Sequence, residues 1–260
     1  MKPVVLTVAG SDNSAGAGIQ ADLKTFSHFG CYGLTAVTCV VAEVPGRVSA
    51  IQAVKPDLVA AQIALSFEAF PAAAAKTGML FSTAIIEAVA DQLAGRAIPL
   101  VIDPVMVASS GDPLLRKSAV SAYRRLLFPR AALVTPNLDE LKILSGREIR
   151  SLAQMKDAGR ALVDRYGCAF LLKGGHLKGK SAVDILATTA GFEEFSAPFV
   201  RGMDPHGTGC TYSAAVAANL ACGRTLSDSV RAGKSYITRA IAGHLRWGRT
   251  SALEHFPPSG

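Results

Sequence analysis

The chain lacks any apolar run approaching the roughly 18 to 20 residues that would span a bilayer, although 50% of its 260 residues are hydrophobic. It also lacks a Cys-x-x-Cys pair. Its 5 cysteines, Cys31, Cys39, Cys168, Cys210 and Cys222, are scattered and odd in number, which argues against a disulfide framework or a zinc cluster. Aromatic residues are few, with 1 tryptophan, and the basic residues form no continuous block. The net charge of +7 therefore does not point to nucleic acid. No repeat, low-complexity tract or Pro/Gly/Ser linker divides the sequence, so one domain across residues 1–260 is expected. Met1-Lys2-Pro3 leads straight into a strand-like run. These absences together predict a soluble, untargeted cytoplasmic protein in a reducing compartment, with neither membrane nor nucleic acid as partner.

What is present is a rhythm. Short β-branched or apolar runs (Val4 to Ala9, Thr35 to Val41, Ala73 to Lys76, Leu100 to Asp103, Ala132 to Thr135 and Ala169 to Lys173) alternate with helical patterns, the signature of a parallel α/β sheet. One amphipathic helix covers Ile19 to Phe29, and Pro56-Asp57 starts another. Ala182 to Ala187 and Glu193 to Ala197, with Gly191 between them, read as an antiparallel edge hairpin. Pro45-Gly46 marks a turn in a small flap over Val41 to Ala50.

In such sheets ligands lie beyond the carboxyl ends of the strands. The most informative loop is Pro205-His206-Gly207-Thr208-Gly209-Cys210, which runs into a long apolar helix. Unpaired N–H groups and the positive dipole end of that helix favour phosphate. The same end predicts a readily ionised thiol at Cys210, a candidate base or nucleophile. Excess positive charge in the last sixty residues also suits anionic ligands. The loop after the first run, Ala9-Gly10-Ser11-Asp12-Asn13-Ser14-Ala15-Gly16-Ala17-Gly18, opens a helix that carries Asp22 about one turn in. Its Gly16-x-Gly18-x-x-Ala21, with Glu43 as a ribose-binding acid, is a weak dinucleotide signature because the glycines lie too far from the strand. Asn137 and Glu140, three apart at a helix start, could hold a hydrated Mg²⁺ or form a capping box. Lys173 ends an apolar strand, where a charge wants an anion. Met79 and Met106 read as core or ligand contacts, and His176 and His206 as loop residues.

In sequence order, AGSDNSAGAGIQADLKTF, KTGML, DPVMVASSGDPLL, TPNLDE, LLKGGHL and HGTGCTYSAA resemble the hydroxymethylpyrimidine and phosphomethylpyrimidine kinases of thiamin biosynthesis, members of the ribokinase-like superfamily. The resemblance runs from about Val4 to Arg239. It implies a three-layer α/β/α fold, a homodimer, and ATP-dependent phosphorylation of an aminopyrimidine and then of its monophosphate. It further implies that Gly207, Thr208 and Gly209 form the anion hole and that Cys210 activates the accepting oxygen. Lys173 would contact ATP phosphates, and Asn137 with Glu140 would organise Mg²⁺. Gly10, Asp22, Glu43, Met79 and Val107 would surround the pyrimidine. The chain departs from the family in its flap, where Val44-Pro45 replaces Asn-Thr and Arg47 lies nearby. Pyridoxal kinase is the competing reading, since some members share the cysteine loop and accept both heteroaromatic alcohols, and a non-catalytic nucleotide or pyrimidine sensor on the same fold is a reading of a different class.

Overall fold

The computed structural model describes residues 1–106, 117–175, 177, 181–200 and 206–258. Six parallel strands form the centre of the sheet: β1 (Val4–Asp12), β2 (Tyr32–Val44), β4 (Ala72–Thr77), β5 (Leu100–Ile102), β6 (Leu133–Val134) and β7 (Ala169–Leu172). Antiparallel strands finish both edges: β3 (Arg47–Ala53) beside β2, and the hairpin β8 (Ser181–Thr188) and β9 (Gly191–Pro198) beside β7. The spatial order is β3-β2-β1-β4-β5-β6-β7-β8-β9. The expected flap is the β2–β3 hairpin, reversed at Pro45-Gly46. Proline presets the first turn position, and Gly46 takes φ +79° in the second, where a side chain would be strained. A separate hairpin, β10 (Leu245–Trp247) with β11 (Thr250–Ala252), had no recognised sequence signal.

The sheet is buried on both faces because successive side chains point to opposite sides. Val4, Leu6 and Val8 of β1 join one apolar cluster and Val5 the other. The first cluster is covered by α2 (Pro56–Ala69), α3 (Thr83–Leu93), α4 (Lys117–Ala122), α5 (Leu138–Ser145) and α6 (Leu152–Tyr166). The second is covered by α1 (Gly18–His28), α7 (Thr208–Ala221) and α8 (Leu226–Ala242). The result is three layers, α/β/α. Four helix starts are closed by side chains: Ser82, Asn137, Ser151 and Thr225 each accept a hydrogen bond from the first turn that follows, satisfying donors the helix cannot. The start of α7, like those of α1 and α2, has no side-chain cap, and its N-cap is Gly207, which has no side chain to offer. Thr211 to Asn219 of this helix are buried continuously, so small alanines are what its central place in the layer admits.

Candidate active site

A cavity of about 550 Å³ opens at the carboxyl ends of the parallel strands. Gly10, Glu43, Met79, Asn137, Glu140, Lys173, Gly207, Thr208, Gly209 and Cys210 all line it. Val107 and His176 lie outside the described residues.

The start of α7 is built by close backbone approach. Gly207 takes φ +80°, and a Cβ there would fall 1.8 Å from the Gly16 carbonyl oxygen, so only glycine fits. A Cβ on Gly209 would sit 3.0 Å from Lys173 Nζ and 3.7 Å from Asp103 Oδ2. Lys173 is thus held at the mouth of the helix, where its Nζ donates to Asp103 Oδ1 at 2.9 Å. Thr135 donates to the same oxygen at 3.1 Å. Burial works against the charge on Lys173, but Asp103 and Glu140 outweigh it and raise its pKa. The lysine therefore presents a full positive charge beside a helix N-terminus. An anion entering here meets backbone donors and a cation together.

Cys210 does not ionise as readily as its helix position predicts. Burial pushes its thiol up to about 11, although Lys76 and the backbone N–H of Gly18 pull the other way. Desolvation of a thiolate here exceeds what the helix end and one lysine return. The resting group is a thiol.

Asp22 is placed elsewhere than expected. It is fully buried, accepts hydrogen bonds from Lys76 Nζ at 2.8 and 2.9 Å and from Thr7 Oγ1 at 2.6 Å, and does not line the cavity. Both its oxygens accept hydrogen bonds from within the protein. Asn137 and Glu140 form a full capping box: Asn137 Oδ1 accepts from the Glu140 N–H, and Glu140 Oε2 accepts from the Asn137 N–H, each at 2.9 Å. Glu140 Oε1 also accepts from the Met106 N–H at 3.0 Å. Burial raises the Glu140 carboxyl to about 7 against the pull of Lys173. Met106 is buried in the core, while Met79 faces the cavity.

Sequence reasoning left Asp12, Asp103, Asp184, Lys234 and His206 without roles, and all five line the cavity. Asp12 organises the loop after β1. Its carboxylate accepts from the N–H groups of Ser14, Gly16 and Ala17 and lies 3.0 Å from His206 Nε2. Burial pushes this carboxyl up, but the bonds from His206, Ser14 and Ala17 hold it at about 2. Glu43 approaches the same pair across the flap, and one ligand atom from each of Asp12, Glu43 and His206 lies within 4.8 Å of the others. Burial and Asp12 together raise the Glu43 carboxyl, while His206 opposes them. No sequence signal joins Asp12 to His206, which are 194 positions apart. Asp103 could have been found by the argument used for Lys173, since it too ends an apolar strand. Val105, also on the cavity wall, carries φ +39°, a strained state for a β-branched residue.

A helix start without a side-chain cap, a charged lysine and a thiol thus face one cavity. The family model for phosphomethylpyrimidine kinase matches residues 12–254. This chain belongs to the phosphomethylpyrimidine kinase family. The hydroxymethylpyrimidine/phosphomethylpyrimidine kinase of Escherichia coli K12 is 44% identical over 91% of this chain and 90% of its own length. The thiamine biosynthesis bifunctional protein ThiED of Geobacter sulfurreducens is 45% identical over 91% of this chain, which spans only 49% of that longer protein. Among solved structures, the ADP complex of Bacillus subtilis pyridoxal kinase superposes with TM-score 0.91 at 36% identity, covering 98% of both chains. The phosphomethylpyrimidine kinase of Clostridium difficile superposes with TM-score 0.82 at 38% identity, covering 92% of this chain and 100% of that one. The fold is ribokinase-like, as these neighbours share it.

Proposed function

We propose that this kinase-family chain transfers the terminal phosphoryl group of ATP to the hydroxymethyl oxygen of 4-amino-5-hydroxymethyl-2-methylpyrimidine and then to the resulting monophosphate, yielding the diphosphate used for thiamin diphosphate. The observation that carries this reading is the convergence of Lys173, the glycine-opened start of α7 and Cys210 on one cavity in a chain of this family. Phosphoryl transfer passes through a loose transition state, so it needs charge neutralisation and alignment more than a strong base. Backbone donors of 207–209 and the Lys173 ammonium receive the phosphate oxygens. Cys210, a thiol at rest, orients the accepting hydroxyl and takes its proton late, with Lys76 and the Gly18 N–H stabilising the sulfur charge as it develops. Glu43 and the Gly10–Met79 wall hold the aminopyrimidine, whose amino group and ring nitrogens need polar partners.

Magnesium fits the cavity through water and nucleotide phosphate, because each Glu140 oxygen already accepts a backbone N–H. When bound, the ion neutralises phosphate charge. Its own charge would favour the ionised form of Glu140 and reinforce the cap at Asn137.

Arg47 follows the Pro45-Gly46 turn and lines the cavity. In this reading its guanidinium pairs with the phosphate of the monophosphate acceptor. The test of the whole proposal is ADP release with Mg·ATP and, in parallel, hydroxymethylpyrimidine, its monophosphate and pyridoxal. Turnover of both pyrimidines supports it; preference for pyridoxal, the alcohol named for the B. subtilis neighbour, contradicts it. Arg47→Ala should lower the rate with the monophosphate relative to the free alcohol, and an unchanged ratio removes Arg47 from acceptor choice.

A further inference from the structure

The two helices that meet at Cys210 meet again at their far ends, and there the chain places two more thiols. Gly18, the first residue of α1, donates its N–H to the sulfur of Cys210 in the first turn of α7. From that point α1 and α7 run side by side on one face of the sheet. Cys31 follows the end of α1 at the entry to β2, and Cys222 is the C-cap of α7. Their Sγ atoms lie 3.8 Å apart although the residues are separated by 191 positions. Cys31 is buried, its thiol donating to the carbonyls of Ala218 at 3.7 Å and Phe29 at 3.9 Å, whereas Cys222 is exposed.

We propose that Cys31 and Cys222 are a redox modification site, forming a reversible disulfide by exchange with a small-molecule disulfide and so fastening the C-terminal ends of α1 and α7 together. The exposed Cys222 gives up its proton to solvent, and its sulfur attacks the reagent, breaking the reagent's S–S bond and releasing one thiolate. Cys31 then loses its proton and attacks Cys222 Sγ, displacing the second reagent thiolate. Two protein thiols are oxidised and one small disulfide is reduced to two thiols. Burial and the neighbouring Cys222 push the Cys31 thiol up to about 12, so the second step is the slow one. Closing the sulfurs to the ~2.05 Å of a disulfide asks for movement of Cys222, which caps a helix and is followed by exposed Gly223, and leaves the sheet in place. The link joins distant parts of the sequence, which is the arrangement in which a cross-link restricts the unfolded chain most.

The experiment incubates the full chain with oxidised glutathione, counts free thiols, maps cross-linked peptides and records Tm. The expected result is a fall from five thiols to three, a Cys31–Cys222 peptide, and a rise in Tm of about 5 °C or more that a dithiol reductant reverses. Cys222→Ser, a change at an exposed position, should keep the original Tm and lose both the cross-link and the rise. An arrested glutathione adduct on Cys222, unchanged thiols after prolonged exposure, or a bond to any other cysteine would each overturn the proposal.

Discussion

Two lysine–aspartate pairs lie near Cys210, and only one of them reaches the cavity. Lys76 and Asp22 are both 0% exposed, their side chains joined at 2.8 Å and sealed between β1, β4 and α1. Lys173 and Asp103 are 12% and 4% exposed, joined at 2.9 Å on the cavity wall. The chemistry is the same, but the surroundings separate the roles. In the first pair every charge is spent inside the protein, so the pair acts as a strut, and towards Cys210 its two members oppose each other, Lys76 favouring the thiolate and Asp22 the thiol. In the second, the ammonium faces the start of α7, where an incoming anion can share it. A buried charge is therefore a ligand contact only when its partner leaves one side open.

The sharpest way to break this comparison is to remove each lysine in turn. Lys76→Met leaves Asp22 buried without its partner and should cost ~3–5 kcal/mol of stability, read from urea unfolding; adding Asp22→Leu should recover most of it. If Lys76→Met is as stable as the parent chain, the pair is no strut. Lys173→Met should unfold at a higher urea concentration than Lys76→Met, while turnover with ATP falls by ~10²–10³. A large stability loss with unchanged turnover would place Lys173 among the struts as well.

A smaller effect is expected in the loop after β1. Asp12 has its folded carboxyl held at about 2, below the ordinary 3.8. Its bonds therefore stabilise the fold above the ordinary value, and that contribution is lost as pH falls from about 4 towards about 2. Asp12→Asn should flatten the acid limb of the stability curve, measured as the urea midpoint across this range. An unaltered acid limb would mean that the loop after β1 does not depend on this carboxylate.

Much of this arrangement was legible in the chain. Parallel strands buried on both faces read as short apolar runs, and Val4 to Ala9, Ala73 to Lys76 and Ala169 to Lys173 fall inside or within one residue of β1, β4 and β7. The glycines of 207–209 pointed to close backbone approach, and Gly207 against the Gly16 carbonyl is that approach. Asp22 was given to the pyrimidine by the resemblance alone, and its bond to Lys76, 54 positions away, has no sequence signal. Cys210 was given too easy an ionisation because a helix start is visible in sequence and desolvation is not. His206 had no acid at ligand spacing, yet the turn of β1 and the flap bring Asp12 and Glu43 to it. Contacts made across the sheet edge leave no periodic trace.

The claim at the centre of this account is that Cys210 serves phosphoryl transfer at a site whose nucleotide binding rests on other groups. Turnover and ATP affinity of Cys210→Ala, measured on the same preparation with the pyrimidine acceptors, test it directly. The account predicts a loss of turnover of ~10²-fold or more with the dissociation constant for ATP nearly unchanged, and retained turnover would contradict it.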